Sequence, residues 1–281
     1  MISYPVAVGS TLTRLFAAGE DGPPVVLVHG LTSRADRWRH NMDALAAAGY
    51  RVYAPDLPGH GLAAKSADFD HSTPGYADFI IGLLDHIGAE RVTLVGTSLG
   101  GHVVAAVAAK QPQRIDRLVM IGSLGLQPVT PDKVQRTAAG LADMRLEAMR
   151  ARLLTVFSDP RHVTDDLVRE DVAVNTSPGA RESFERFLKY FQTGFNDDLV
   201  LDRLAALQER FPLLLLWGEE DKSVPVEIGR AAHAALPRSR LVVFKNASHT
   251  PYWEHPALFN RTLLEFLRGD TAARAEERAS N

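Results

Sequence analysis

The sequence predicts an α/β fold in which a doubly wound, mostly parallel sheet carries an inserted helical lid. In residues 1–122, short β-branched and leucine-rich runs alternate with stretches of helical periodicity, which is typical of strands buried on both faces. From 123 to 210 the strand-like runs stop and apolar residues recur at helical spacing. The alternating pattern then resumes. We expect a core of residues 1–122 and 211–268, a helical lid at 123–210 and a flexible tail at 269–281.

The individual elements follow from the same patterns in chain order. An antiparallel hairpin of Val6–Val8 and Thr11–Phe16 opens the chain, because Gly9 and Ser10 provide its turn. The expected buried strands are Val25–His29, Val52–Ala54, Val92–Val95, Leu118–Ile121, Leu213–Trp217 and Leu241–Phe244. The helices outside the lid are expected near 38–48, 74–88, 99–110, 226–235 and 257–267. Ligands of open α/β sheets bind at the carboxyl ends of the strands, so the inserted helices should cover a site at that edge.

The composition is that of a globular chain and excludes several classes of function. Of the 281 residues, 46% are hydrophobic and 23% are charged, which excludes disordered and fibrous proteins. The 31 basic and 34 acidic residues give a net charge of −3, which offers no attraction to nucleic acid or to anionic lipid. The sequence shows no signal peptide and no membrane span. We therefore expect a cytoplasmic protein with neither a nucleic-acid nor a membrane partner.

The absence of cysteine limits the kinds of chemistry that this chain can perform. It excludes a disulfide framework, a thiolate nucleophile and a cysteine-ligated metal. We expect neither a metal nor a cofactor. Nothing in the sequence indicates an oligomeric state.

The strongest candidate for chemistry is Ser98, in the segment Gly96-Thr97-Ser98-Leu99-Gly100. This segment follows a predicted strand and precedes a predicted helix. A serine on such a sharp turn is held in a strained conformation with its hydroxyl exposed, and glycine two residues before and after it avoids a clash. The helix N-terminus adds positive potential where an oxyanion would form. The alternative interpretation is a glycine-rich turn with a capping serine.

Besides the Ser98 turn, four segments bear on the family: His29-Gly30, Asp56-Leu57-Pro58-Gly59-His60-Gly61, Trp217-Gly218-Glu219-Glu220-Asp221 and Ser248-His249-Thr250-Pro251. With these segments, the chain resembles the serine-nucleophile branch of the α/β-hydrolase superfamily over about residues 24–267. Nucleophile, acid and base follow one another along the chain in the order of that superfamily. The layout is most similar to the meta-cleavage-product hydrolases and related carboxylesterases.

A serine nucleophile needs an adjacent base, and the resemblance assigns that role to His249. This residue lies just past the last predicted strand, at the sheet edge that also carries Ser98. Ser248 stands where the superfamily usually has glycine. Asp221 follows the preceding strand and matches the position of the acid that orients the histidine. The two glutamates directly before it are the alternative acids.

The resemblance also implies an oxyanion hole made of backbone N–H groups. Leu99, directly after the nucleophile, would supply one donor, and Leu31, in the loop after the third predicted strand, would supply the other. The candidate pocket residues either follow predicted strand ends or are aromatic side chains near the predicted cleft. They are Trp38, Leu124, Val224 and Trp253.

The Ser, His and Asp set implies acyl transfer through an acyl-enzyme. Serine speaks against the dehalogenases and epoxide hydrolases of this fold, which attack with aspartate. The first hypothesis is a serine esterase that cleaves a carboxylic ester or lactone of a small molecule. The alternative is a C–C bond hydrolase of meta-ring-fission products, although that group has Trp where this chain has Thr250 and a lid Arg about where it has Asp171. A third hypothesis is a ligand-binding member of the fold without activity.

Four arginines in the predicted lid bear on the charge of the substrate. Arg145, Arg150, Arg152 and Arg169 indicate either an anionic substrate or a solvated helix face. The sequence supports both interpretations equally.

Overall fold

The computed structural model describes residues 1–269, so the tail expected at 269–281 lies outside the described residues beyond Gly269. The predicted strands are present, most of them a few residues longer than expected. They are β1 (Ile2–Val8), β2 (Thr11–Ala18), β3 (Pro24–Val28), β4 (Arg51–Pro55), β5 (Val92–Thr97), β6 (Ile115–Ile121), β7 (Leu213–Gly218) and β8 (Arg240–Phe244).

The sheet that these strands form is doubly wound and mostly parallel, as predicted. Among the described residues its order is β1-β2-β4-β3-β5-β6-β7-β8. The pairs β1–β2 and β2–β4 are antiparallel, and every other neighbouring pair is parallel. The carboxyl ends of β3, β5, β6, β7 and β8 therefore meet at one edge.

The α-helices fall between the strands and in one long segment after β6. They are α1 (Met42–Ala47), α2 (Thr73–His86), α3 (Leu99–Lys110), α4 (Pro131–Ala142), α5 (Leu146–Val156), α6 (Asp165–Asn175), α7 (Ala180–Thr193), α8 (Leu201–Ala205), α9 (Val226–Ala235), α10 (Pro251–Glu254) and α11 (Pro256–Leu267). The helix expected at 38–48 is instead a 3₁₀ turn, Ala35–Trp38, followed by α1. A bond of 2.9 Å from Asn41 N–H to Trp38 O closes the turn between them.

The core covers both faces of the sheet. In β3, Val26 and Val28 point into one cluster and Val25 and Leu27 into the other, and all four are fully buried. This alternation follows from the two-residue period of a strand. The apolar run that predicted β3 thus reflects burial by helices on both sides.

The helices α4 to α8 all lie between β6 and β7, in the segment 123–210, which we call the helical insertion. Its residues Phe187, Phe191 and Phe195 pack into the same cluster as α3 and the sheet. Met149 and Leu153 belong to a smaller cluster of their own, which Trp253 contacts from the sheet side. The insertion is thereby packed onto the carboxyl edge of the sheet. None of the helices within residues 1–269 has the length and apolarity that crossing a bilayer requires.

A buried carboxylate fixes two loops at this edge. Asp56, which follows β4, is fully buried, and its oxygens accept hydrogen bonds from Ala35 N–H at 2.7 Å and Leu62 N–H at 2.8 Å. The Arg14 Nε–H group donates to the same carboxylate at 2.8 Å. Asp56 therefore joins the loops after β3 and β4, and its charge is compensated by Arg14.

Replacing Asp56 by asparagine should destabilise the fold. Asp56→Asn removes the charge that Arg14 needs and turns an amide toward backbone donors, so we expect a loss of about 3 kcal/mol in the free energy of unfolding. The control is Asp116→Asn, which breaks a surface pair with Arg91 and should cost less than about 1 kcal/mol. Urea unfolding measures both values. Equal losses in the two variants would contradict this account.

Candidate active site

Ser98 sits at the turn between β5 and α3 in a strained backbone conformation. Its φ is 56° and its ψ is −119°, a combination that a side chain with a Cβ rarely adopts. A helix starts at the next residue, so the Ser98 side chain stands at the carboxyl edge of the sheet beside the N-terminus of α3. This is the strand, turn and helix arrangement that the sequence predicts.

The glycines on either side of Ser98 permit this turn. A Cβ on Gly96 would lie 2.2 Å from the carbonyl oxygen of Gly100. A Cβ on Gly100 would lie 2.3 Å from Val28 O and 2.4 Å from His29 O. Both distances are far inside van der Waals contact, so only glycine allows α3 to approach β3 and β5 this closely.

His249 and Asp221 form the second part of the site. Asp221 lies in the turn after β7 and His249 in the loop after β8, and both are buried. The Nδ1 atom of His249 is 2.7 Å from Asp221 Oδ2. The other carboxylate oxygen accepts from Ser223 N–H and Val224 N–H, each at 2.8 Å. With Nδ1–H donating to a fixed carboxylate, Nε2 of His249 is left as the basic nitrogen.

Small neighbours and loop contacts hold this pair in place. Gly122, with a φ of 47°, lies so close that its Cβ would be 2.9 Å from Asp221 Oδ2 and 3.0 Å from His249 Nδ1. The His249 N–H donates to Val156 O at 3.1 Å, which ties the loop to the end of α5. Glu219 and Glu220, the alternative acids, are exposed to solvent.

Ser98 and His249 line a single cavity between the sheet edge and the helical insertion. Its volume is about 1250 Å³, above the usual range for small-molecule sites. The predicted residues Leu31, Leu124, Val224 and Trp253 also line it, together with residues of α4 and α5. The structure therefore brings most of the predicted residues to one cavity large enough for an extended small molecule.

Trp38 is a wrong prediction for the pocket. Its side chain is fully buried and does not line the cavity. The indole ring stacks on Tyr252 at a centroid distance of 4.3 Å and lies 6.4 Å from Phe259. The 3₁₀ turn after β3 points Trp38 into the core cluster on the α11 side of the sheet instead.

The two predicted oxyanion donors lie at the start of α3 and on the loop after β3. Leu99 is the first residue of α3, where backbone N–H groups have no acceptor within the helix. Leu31 follows β3 and lines the cavity. The next residue, Thr32, has a φ of 58°, and its carbonyl accepts a bond of 3.1 Å from Asn175 Nδ2 on α6. The helical insertion thus contacts the loop that presents Leu31.

Asp171 and Arg37 are cavity residues that the sequence did not predict as partners. The Asp171 carboxylate is buried and accepts hydrogen bonds from both Arg34 and Arg37. Burial and the neighbouring Arg34 lower the pKa of Arg37, while Asp171 opposes the shift. These residues come from segments more than 130 positions apart, so no local pattern indicates that they pair.

The described residues show no group of three or more His, Asp or Glu side chains arranged to hold a metal ion. The polar groups at the sheet edge of the cavity include a hydroxyl, an imidazole bonded to a carboxylate, and backbone N–H groups near a helix N-terminus. This set is suited to nucleophilic attack on a carbonyl carbon.

Comparisons with known proteins bear on the family. A family model described as the alpha/beta hydrolase fold matches residues 23–256. The 2-hydroxy-6-oxononadienedioate/2-hydroxy-6-oxononatrienedioate hydrolase of Burkholderia vietnamiensis is 32% identical over 259 residues, 89% of this chain and 88% of that protein.

Solved structures agree with the sequence matches. A 2-hydroxy-6-oxo-6-phenylhexa-2,4-dienoate hydrolase from a Rhodococcus species has a TM-score of 0.86 and 26% identity, covering 95% of this chain and 98% of that one. A meta-cleavage product hydrolase from Pseudomonas fluorescens has a TM-score of 0.83 and 28% identity with the same coverage. These matches confirm the resemblance in layout, and the chain belongs to the α/β-hydrolase fold family.

Proposed function

We propose that this chain is a hydrolase in which Ser98 attacks a carbonyl carbon of a small molecule. The proposal is carried by the hydrogen bond between His249 and Asp221, because this pair shares a cavity with a serine held in a strained strand-to-helix turn. In this scheme His249 is the base, and Asp221 fixes its tautomer and stabilises the imidazolium. No metal or cofactor is expected to take part, and a cytoplasmic location stays a prediction.

The reaction proceeds in two halves. His249 Nε2 takes the Ser98 hydroxyl proton as Oγ bonds to the carbonyl carbon, and the N–H groups of Leu31 and Leu99 stabilise the oxyanion. The tetrahedral intermediate collapses, the leaving group takes the proton from His249, and an acyl-enzyme remains. Water, deprotonated by His249, then attacks the acyl carbon, and the acid is released as the proton returns to Ser98.

The substrate we favour is an oxo acid with a scissile C–C bond, of the kind formed when an aromatic ring is opened. The Burkholderia relative and both structural neighbours carry names of such hydrolases, so they support the alternative hypothesis over the ester hypothesis. In this chemistry the electron pair of the broken bond passes into a conjugated carbonyl of the leaving fragment. That fragment is released as an enol after it is protonated.

Ester or lactone hydrolysis is the second candidate. The observation that favours it is the state of Asp171, which occupies the approximate position of the cation expected in the C–C hydrolases and is bonded to Arg34 and Arg37. Thr250 likewise replaces the expected tryptophan, and it lines the cavity. A binding protein without activity is the third candidate.

Removing the side chain of Ser98 or of His249 should abolish turnover, because both take part directly in the proposed reaction. We expect Ser98→Ala and His249→Ala to lose at least about 10³-fold in kcat, and Asp221→Asn somewhat less. An organophosphonate should label the wild type stoichiometrically at Ser98, detected by mass spectrometry. His86→Ala, an exposed position at the end of α2, is the control and should keep full activity. Turnover retained in both alanine variants would place the chemistry elsewhere, and an inert protein would support the binding role.

A substrate panel separates the two hydrolase candidates. We expect kcat/KM for a ring-fission dienoate to exceed that for the best p-nitrophenyl ester or lactone by at least about tenfold, because its leaving fragment matches the relatives' chemistry. Initial rates are measured with wild type, and Ser98→Ala serves as the blank for each compound. A higher kcat/KM for any ester or lactone would favour the second candidate.

A further inference from the structure

The structure distinguishes the four arginines of the insertion that the sequence left equivalent. Arg145, Arg150 and Arg169 each form an ion pair with a nearby aspartate on the outside of the insertion. Their side chains are 81%, 35% and 62% exposed. Arg152 lies on α5 and lines the cavity that contains Ser98. A solvated helix face therefore explains the three ion-paired arginines. It does not explain Arg152, which lines the cavity.

Arg152 has no carboxylate within ion-pair distance in the part of the chain that the structure describes. Its Nη1 donates to the Gly140 carbonyl at 3.0 Å, and the sulfur atoms of Met144 and Met149 are its other partners. A thioether is a weak acceptor. Burial lowers the pKa of the guanidinium, while the Asp171 carboxylate opposes the shift. The group nevertheless remains charged, because an arginine pKa is very high.

A cluster of ion pairs that includes Asp171 does not neutralise Arg152, because its charges neutralise one another. Within residues 1–269, ion pairs join eight side chains from β2, the loops after β3 and β4, and α6; four are arginines and four are carboxylates. The members are Arg14, Arg34, Arg37, Arg39, Asp36, Asp56, Glu170 and Asp171. The cluster carries no net charge, so Arg152 is one positive charge in excess.

Of the other cations that line the cavity, Arg136 is paired with Asp132, Lys222 is exposed, and Lys133 has no ion pair within the described residues. Lys133 donates to Ser223 O at 2.7 Å, and its charge faces the Asp221 carboxylate. Asp143 is paired with Arg145, and Glu227 is exposed. A buried cation without a counter-charge is unfavourable unless a ligand supplies one.

We propose that Arg152 binds a carboxylate of the substrate and so selects acids over neutral molecules. The guanidinium fork can bond both oxygens of a carboxylate. Arg152 lies one helical turn, roughly 6 Å along α5, from Val156, whose carbonyl holds the His249 loop. The carboxylate would therefore be bound near the reacting carbonyl group. This inference rests on the proposed function, since the carboxylate belongs to the molecule that Ser98 attacks.

Binding to Ser98→Ala protein tests the subsite without turnover. The probes are 6-phenylhexanoate and 6-phenylhexanamide, which match in size and differ in charge, and isothermal titration calorimetry measures both. We expect the acid to bind at least about tenfold more tightly than the amide. Adding Arg152→Met should remove this preference, and Arg152→Lys should keep part of it, since it retains the charge without the fork. Adding Arg145→Met, at an exposed position, should leave the preference unchanged.

Two results would overturn the subsite. One is an Arg152→Met protein, folded as judged by circular dichroism, that still prefers the acid. The other is a Ser98→Ala protein that binds the acid no better than the amide, or binds neither. Phosphonate labelling of the wild type keeps this test separate from the proposed function. Labelling without acid preference rejects the subsite alone, and Arg152-dependent binding without labelling rejects the catalytic role of Ser98 alone.

Discussion

The site depends on one backbone constraint, the positive φ of Ser98 at the end of β5. A residue with a side chain adopts this conformation only when the surrounding structure compensates for its cost. Here the compensation comes from close packing, since α3 approaches β3 near enough that Gly100 has no room for a Cβ. The same contact places Ser98, which lines the cavity, directly before the first N–H groups of α3. The conformation of Ser98 thus depends on how tightly one helix packs on the sheet.

The remaining parts of the site follow from the parallel topology. Because β3, β5, β7 and β8 run in the same direction, the residues after them meet at one edge, although they are far apart in the chain. Burying Asp221 costs solvation energy, and two backbone N–H groups together with His249 offset that cost. A carboxylate satisfied in this way holds the imidazole in one orientation, which a mobile surface carboxylate would not.

Much of the fold was predictable from sequence because its signals are local. The buried strands have continuous apolar runs, the Ser98 turn has glycines at fixed spacing, and His249 lies in the loop after the last strand. The predictions that failed concern the direction in which a side chain points, which tertiary packing decides. Trp38 is an aromatic side chain near the predicted cleft, yet a 3₁₀ turn directs it into the core. Arg150 and Arg152 are neighbours on one helix, and only packing shows that one meets an aspartate and the other the cavity.

The contrast between α4 and α6 has a consequence for how the cavity exchanges its contents. Helix α6 is fastened by buried ions and by the Asn175 contact with Thr32, whereas α4 has no buried side chain at all among its described residues. Local opening costs least where few apolar contacts are lost. Within the helical insertion, α6 is therefore held firmly and α4 is held weakly. Fraying of α4 can admit solvent to the cavity while the loop that carries Leu31 keeps its conformation.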